Sequence, residues 1–141
     1  LAGEAKGDLE FNLVSEGLRK LALLWVLIQN GTLLSGSILF WDEPESNLNP
    51  TMIQTVVQIL LELQRMGIQI FIATHDYVVL KEFDLQAKKQ DNVRFHAFFT
   101  DAETGDVKVS SIDDYLQIEP NAISETFLDL YDRDIEKRLK G

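Results

Sequence analysis

The sequence contains no cysteine. Disulfides and thiolate metal sites are therefore excluded, and the composition fits a reducing compartment such as the cytoplasm. Nor is there a run of about 18 uncharged apolar residues, the length a membrane-crossing helix needs. The longest apolar stretch, Leu21–Ile28, has the length of a core helix, and no membrane partner is expected. Leu1–Glu10 places Gly, Glu, Lys and Asp where a secretory leader needs an apolar segment. Positive charge is scarce: 13 Lys and Arg stand against 23 Asp and Glu, a formal net charge of −10. Such a surface repels phosphate backbones, which argues against broad nucleic-acid contact by this segment. DNA binding by other parts of a larger protein stays open. What is present is an ordinary globular mix, 45% hydrophobic and 26% charged over 141 residues, enough for one domain with a sizeable core.

Along the chain, Leu9–Val14 alternates apolar and polar residues and reads as a short strand or an extended lead-in. Ser15 suits an N-cap. The residues from Leu18 to Ile28 form a helix apolar on nearly every face, which predicts burial on most sides. Asn30-Gly31 ends it. Ser37–Trp41 is a short apolar run closed by acids, the pattern of a buried strand in a parallel sheet. Asp42–Asn49 is a loop, and Pro50 suits the first turn of a helix. Ile53, Val56, Val57, Leu60, Leu61 and Leu63 keep helical spacing up to a stop at Gly67, and Ile68–Ala73 predicts a second buried strand. Further on, Tyr77–Phe83 reads as a short helix. Val93–Thr100 and Asp106–Ser110 read as a hairpin around Asp101–Gly105. Ala122–Leu139 reads as a closing amphipathic helix with Ile123, Phe127, Leu130 and Tyr131 on one side. No repeat or low-complexity linker divides the chain, so residues 1–141 are read as one α/β domain.

Four clusters carry chemistry. Ile38–Glu43 holds a rigid apolar strand from whose end two carboxylates emerge. One acid there can hold Mg²⁺ through its waters, and its neighbour can orient or deprotonate a water; strands also end in acids simply because solvent begins there. Pro44 and Pro50 bracket a polar loop that either joins strand to helix or positions something beside Glu43. Thr74-His75-Asp76 ends the second strand, and at that edge of an open α/β sheet ligands bind. His75 there either meets a phosphate or is a polar cap. Val14–Lys20 opens the apolar helix, and Ser15 with Gly17 makes either an anion-binding helix end or an ordinary N-cap.

Taken together, the order and spacing of these clusters resemble the C-terminal half of an ABC-class ATPase head, a P-loop NTPase fold. The similarity is to the branch of RecF, the structural-maintenance-of-chromosomes proteins and the bacterial AAA-family ABC-like ATPases. Ser15-Glu16-Gly17 resembles the signature motif opening a helix over 15–29, and 37–43 resembles the Walker B strand. Residues 44–50 resemble the D-loop, and Thr74-His75 resembles the switch histidine at the end of a strand over 68–76. The tail, a hairpin over 93–110 and a helix over 122–139, is similar more loosely. The resemblance implies a parallel sheet flanked by helices, with ATP and Mg²⁺ as ligands. It implies that Asp42 holds the Mg²⁺ shell, Glu43 is the general base and His75 contacts the γ-phosphate. Ser15 and Gly17 would reach the nucleotide of an opposing head, with Ser46 and Asn47 crossing the same interface in a homodimer.

The sequence departs from that family at Glu16, where many members carry Gly or Ser. It also holds no Gly-x-x-x-x-Gly-Lys-Ser/Thr loop to cradle phosphates, and no identifiable Gln-containing loop. The expectation is therefore a lobe whose Walker A half precedes Leu1 in a longer protein or lies on another chain. The chain alone would not hydrolyse ATP. The complete protein is expected in DNA repair or phage defence, with DNA or a nuclease as a partner. Two other readings stand beside this one: a non-hydrolysing dimerisation or regulatory module of the same fold, and a metal-dependent nuclease using Asp42, Glu43, His75 and Asp76.

Overall fold

The computed structural model describes residues 16–140. The lead-in expected at Leu9–Val14 and the N-cap expected at Ser15 lie outside the described residues. The first half runs α1 (Glu16–Gln29), β1 (Ile38–Asp42), a single 3₁₀ turn (Pro50–Met52), α2 (Ile53–Arg65), β2 (Gln69–Ala73) and α3 (Tyr77–Gln86). β1 and β2 pair in parallel, with Ile38 opposite Gln69 and Asp42 opposite Ala73. A parallel pair needs a crossover, and α2 supplies it. Asn49 opens the crossover by accepting the Thr51 amide at 3.0 Å, with Pro50 in the first turn. Gly67, at φ 92°, ends α2 and gives its carbonyl to the Gly36 amide at 2.8 Å, which brings the chain back beside β1.

α2 is the hub of the core. Its Leu63 joins Leu24, Leu33 and Ile68 in one buried cluster, against which Leu39, Trp41 and Ile70 of the sheet pack. On its other side Ile53, Val57 and Leu61 pack with Val79 of α3, flanked by Phe83 and Val93. The end of α2 is tied down by a half-buried ion pair, with Asp91 buried and Arg65 partly exposed. Arg65 grips Asp91 with Nε on Oδ1 at 2.9 Å and Nη2 on Oδ2 at 2.6 Å. That guanidinium, followed by the Lys88 amide, pulls the Asp91 carboxyl down to about 2, and the same contact raises Arg65.

The second half is a hairpin, β3 (Phe95–Thr100) antiparallel to β4 (Val107–Ile112), then a 3₁₀ turn (Tyr115–Gln117) and α4 (Ala122–Lys140). Asp101 builds the hairpin turn by accepting the Glu103 and Thr104 amides. α3 runs three residues past the expected end at Phe83, to Gln86. Among the described residues no helix is long and apolar enough to cross a membrane.

Burial departs from the sequence pattern in three places. α1 was expected to be buried on most sides, yet only Gly17 and Leu24 are buried, and Trp25 is 62% exposed. The two strands were expected to be buried, yet each hides one face and bares the other: Leu39 and Trp41 point into the core, while Ile38 and Phe40 face out, Phe40 at 74% exposure. α4 was expected to close the domain, yet none of its residues is buried. Its first turns are held by Phe127, stacked on Tyr77 at 4.1 Å, and by Ser124, hydrogen-bonded to the Tyr115 hydroxyl at 2.7 Å; Leu130, Tyr131 and Leu139 are exposed. The common cause is supply of partners. Around α1 the described residues offer one parallel strand pair and one crossover helix, enough to cover a single face of α1 and a single face of that pair.

Candidate functional site

The site grows from two adjacent strand ends. Glu43 donates its amide to the Ala73 carbonyl at 2.8 Å, which carries the parallel pairing one residue beyond β1. The backbone then turns sharply, with Glu43 at φ 46°, a left-handed conformation that residues with a Cβ seldom take. Holding it costs on the order of 1–3 kcal/mol and needs support from the surroundings. Pro44, fully buried, anchors the next position. The Ser46 amide closes back on the Glu43 carbonyl at 3.1 Å and the Leu48 amide on that of Glu45 at 3.0 Å. Asn47, at φ 63°, takes the second left-handed position, which Asn tolerates.

This turn delivers the Glu43 carboxylate to His75. Nδ1 of His75 lies 3.1 Å from Oε1 of Glu43, with the Glu43 side chain 45% exposed and the His75 side chain 80% exposed. Both remain open to an incoming molecule. Thr74, just before the histidine, donates its hydroxyl to Glu45 Oε1 at 2.6 Å and accepts the Asp76 amide at 3.0 Å, locking the two loops together. Oε2 of Glu45 is buried without a hydrogen-bond partner among the described residues. Asp76 is spent on structure: its Oδ1 caps α3 by accepting the Val78 and Val79 amides at 2.6 and 3.2 Å.

The remaining candidates fall in two places. Asp42 is exposed at the end of β1, on the strand face that also carries Phe40. Gly17, Ser46 and Asn47 meet at the start of α1. Asn47 Nδ2 donates to Glu16 Oε2 at 2.8 Å and to Ser46 Oγ at 3.2 Å. Gly17 is buried beneath the loop, where an added Cβ would stand 2.5 Å from Leu48 Cδ2 and 2.6 Å from the Asn47 carbonyl oxygen. One side of the helix end expected to face outward is thus covered by the loop. Ser15 lies outside the described residues. Glu16, Lys20 and Glu45 lie within the motifs singled out in the sequence, but none of them carries an expected role at this site. Lys20 reaches the Glu43 carbonyl with Nζ at 3.3 Å across 23 residues of sequence, a separation that leaves no local signal.

Among the described residues no three His, Asp or Glu side chains converge to hold a metal ion. Asp42 is an exposed carboxylate at the end of β1, a donor of the type that Mg²⁺ takes singly beside phosphate oxygens and water. Asp76, which a two-metal nuclease site would also need, has its Oδ1 engaged in the cap of α3. The Glu43–His75 pair sits on an open edge. A cleft of about 660 Å³ lined by Phe83, Lys88, Asp91, Arg94 and Tyr115 lies away from it.

Residues 2–81 match the model of a family described as "AAA domain, putative AbiEii toxin, Type IV TA system". The matched span contains β1, α2, β2 and both Glu43 and His75, and it relates the chain to AAA-type P-loop NTPases, which bind nucleotides. No curated protein matches the chain.

Proposed function

This chain belongs to that AAA-domain family, and from this premise we propose that it supplies the water-activating and Mg²⁺-facing part of an ATP-hydrolysing site in an ABC-like head. The observation that carries the proposal is the Glu43–His75 contact at 3.1 Å, made by residues just beyond two parallel strand ends. Glu43 is a carboxylate held by a constrained backbone yet open to solvent. It can accept a hydrogen bond from a water, orient that water toward the γ-phosphorus and take its proton as the new P–O bond forms and the bond from that phosphorus to the bridging oxygen breaks, releasing ADP. His75, with Nδ1 3.1 Å from the same carboxylate, would steady its orientation, and as an imidazolium it would keep its second ring N–H for a γ-phosphate oxygen. Asp42 would hold Mg²⁺ through the ion's waters, and Mg²⁺ would offset charge on the phosphates.

The phosphate-cradling loop would come from a Walker A lobe, upstream of Leu1 or on another chain. The bare face of β1 and β2 and the exposed flank of α1 support this reading, because parallel strands and all-round apolar helices occur covered. ATP would then clamp two such heads together, with Ser15 and Gly17 at the opposing nucleotide and Ser46 and Asn47 beside it. The branch is the RecF-like one. The family's description, which names a putative AbiEii toxin and a type IV toxin–antitoxin system, supports a defence setting, and the complete protein would act there or in DNA repair, with DNA or a nuclease as partner.

The test is Glu43→Gln in the complete protein. ATP turnover should fall by about 10²–10⁴-fold, the range typical of a lost general base, while ATP binding persists and the dimer becomes longer-lived. Unchanged turnover would remove Glu43 from the chemistry. A wild-type protein that binds ATP and dimerises with no turnover at all would make the fold a dimerisation module.

A further inference from the structure

We infer that Lys20 is a positioning residue for Glu43, and that the first turns of α1 set where that carboxylate stands. The inference rests on the water-orienting role proposed for Glu43. The main chain of Glu43 is restrained at both of its peptide groups while φ sits at 46°. Its amide is held by Ala73 at 2.8 Å, and its carbonyl accepts both the Ser46 amide at 3.1 Å and Lys20 Nζ at 3.3 Å. Ala73 belongs to the sheet, and Ser46 belongs to the loop and moves with it. Lys20 is the carbonyl's restraint from a separate helix.

Lys20 does not act from an isolated position. Glu16 and Lys20 are four residues apart on α1 and Gly17 and Lys20 three, so all three side-chain positions share one helix face. That face is applied to one loop at three points: Glu16 on the Asn47 side-chain amide at 2.8 Å, the Gly17 surface under Leu48, and Lys20 on the Glu43 carbonyl. A shift of α1 therefore carries the Glu43–Leu48 loop with it, and the Glu43 carboxylate moves as well. Under the proposed arrangement the start of α1 meets the opposing head, so closure of the dimer reaches the carboxylate through this contact.

The experiment uses the complete protein and compares Lys20→Met, Lys20→Arg and Glu43→Gln. Lys20→Met should lower kcat about tenfold or more, since misplacement of a reacting group by about 1 Å can cost 10²-fold, while KM for ATP stays within about twofold. Lys20→Arg, which keeps an N–H donor, should recover most of the loss. In the Glu43→Gln background, Lys20→Met should cost nothing further, because the group it positions is gone. Wild-type kcat in Lys20→Met, an equal defect in Lys20→Arg, or additive losses in the double variant would each overturn the inference. The link also has a readout independent of turnover. Amide exchange at Ser46 should quicken about tenfold in Lys20→Met, by loss of a local restraint; unchanged exchange overturns the link even where Glu43→Gln has shown the hydrolytic reading itself to be wrong. Should Lys20→Met fail to fold, Lys20→Gln carries the same comparisons.

Discussion

Nδ1 of His75 lies 3.1 Å from Oε1 of Glu43, although the two residues reach that point from different strands, one position beyond Asp42 and two beyond Ala73. The parallel register makes the meeting possible. Asp42 and Ala73 are opposite one another, and the Glu43 amide bonds to Ala73, so a short step past each strand end lands both side chains at one spot. Two side chains in direct contact that serve one reaction should not act independently. In the complete protein, the turnover losses of Glu43→Gln and His75→Ala should combine to less than their product, with a coupling of about 0.5–3 kcal/mol. Steady-state ATPase rates of the two single variants and the double variant measure it. Strictly additive losses would mean that the contact has no part in catalysis.

Gly17→Ala should destabilise the protein, against the usual direction for a helical glycine. Elsewhere in a helix the change gains roughly 0.5–1 kcal/mol. Here the new Cβ would stand 2.5 Å from Leu48 Cδ2 and 2.6 Å from the Asn47 carbonyl. The leucine can give way; the carbonyl belongs to a loop whose Asn47 is already left-handed. A net loss of about 1–3 kcal/mol is expected, the range for overpacking. Adding Leu48→Ala should recover only part of it, since the backbone clash remains. Urea unfolding of the three proteins checks both statements, and a Gly17→Ala protein as stable as wild type would refute the close approach.

What the sequence made legible was local. The pattern of apolar runs and stops located β1, α2 and β2 to within a residue or two, because Pro50, Gly67 and the acids after Trp41 punctuate the chain. The same pattern misjudged burial. A continuous apolar run such as Ser37–Trp41 looks identical whether one face or both are covered, and Phe40 turned out to be bare while Leu39 is packed. Also hidden were the left-handed turn at Glu43, since nothing about a glutamate announces a positive φ, and the contacts that need the folded chain. Glu16 meets Asn47 across 31 residues and Thr74 meets Glu45 across 29. The acids and the histidine could be named from type and order; the positioning shell around them could not.

Asp91→Asn should weaken the fold at neutral pH and flatten its acid response. Arg65 and the Lys88 amide hold the Asp91 carboxyl at about 2 in the folded chain, below its ordinary 3.8. A depressed carboxylate leaves the unfolded chain binding a proton that the folded chain refuses. Its stabilisation is therefore complete above about pH 5 and drains away as the pH falls from about 4 through 2. Asp101, held at about 2 by Lys108 and its turn amides, shares that window, so the variant removes part of the slope and not all of it. Urea midpoints measured from pH 7 down to about pH 2 test this, and an Asp91→Asn curve parallel to wild type would refute it.

Phe40 and Phe71 stack at 4.9 Å with their rings 11° apart, on the face of the β1–β2 pair that the described residues leave open. Parallel strands are found covered on both faces, and the proposed Walker A lobe would provide that cover. The two situations differ in energy. An aromatic pair left in solvent contributes about 0.5–1.5 kcal/mol beyond its area, whereas truncating a buried phenylalanine costs about 3–5 kcal/mol through lost transfer energy and the cavity left behind. Phe40→Ala in the complete protein should therefore cost about 3 kcal/mol or more in denaturant unfolding, far above what its 74% exposure in this chain would allow. A loss below about 1.5 kcal/mol would place that face in solvent in the complete protein as well, and the composite arrangement, with a second lobe seated on these strands, would have to be abandoned.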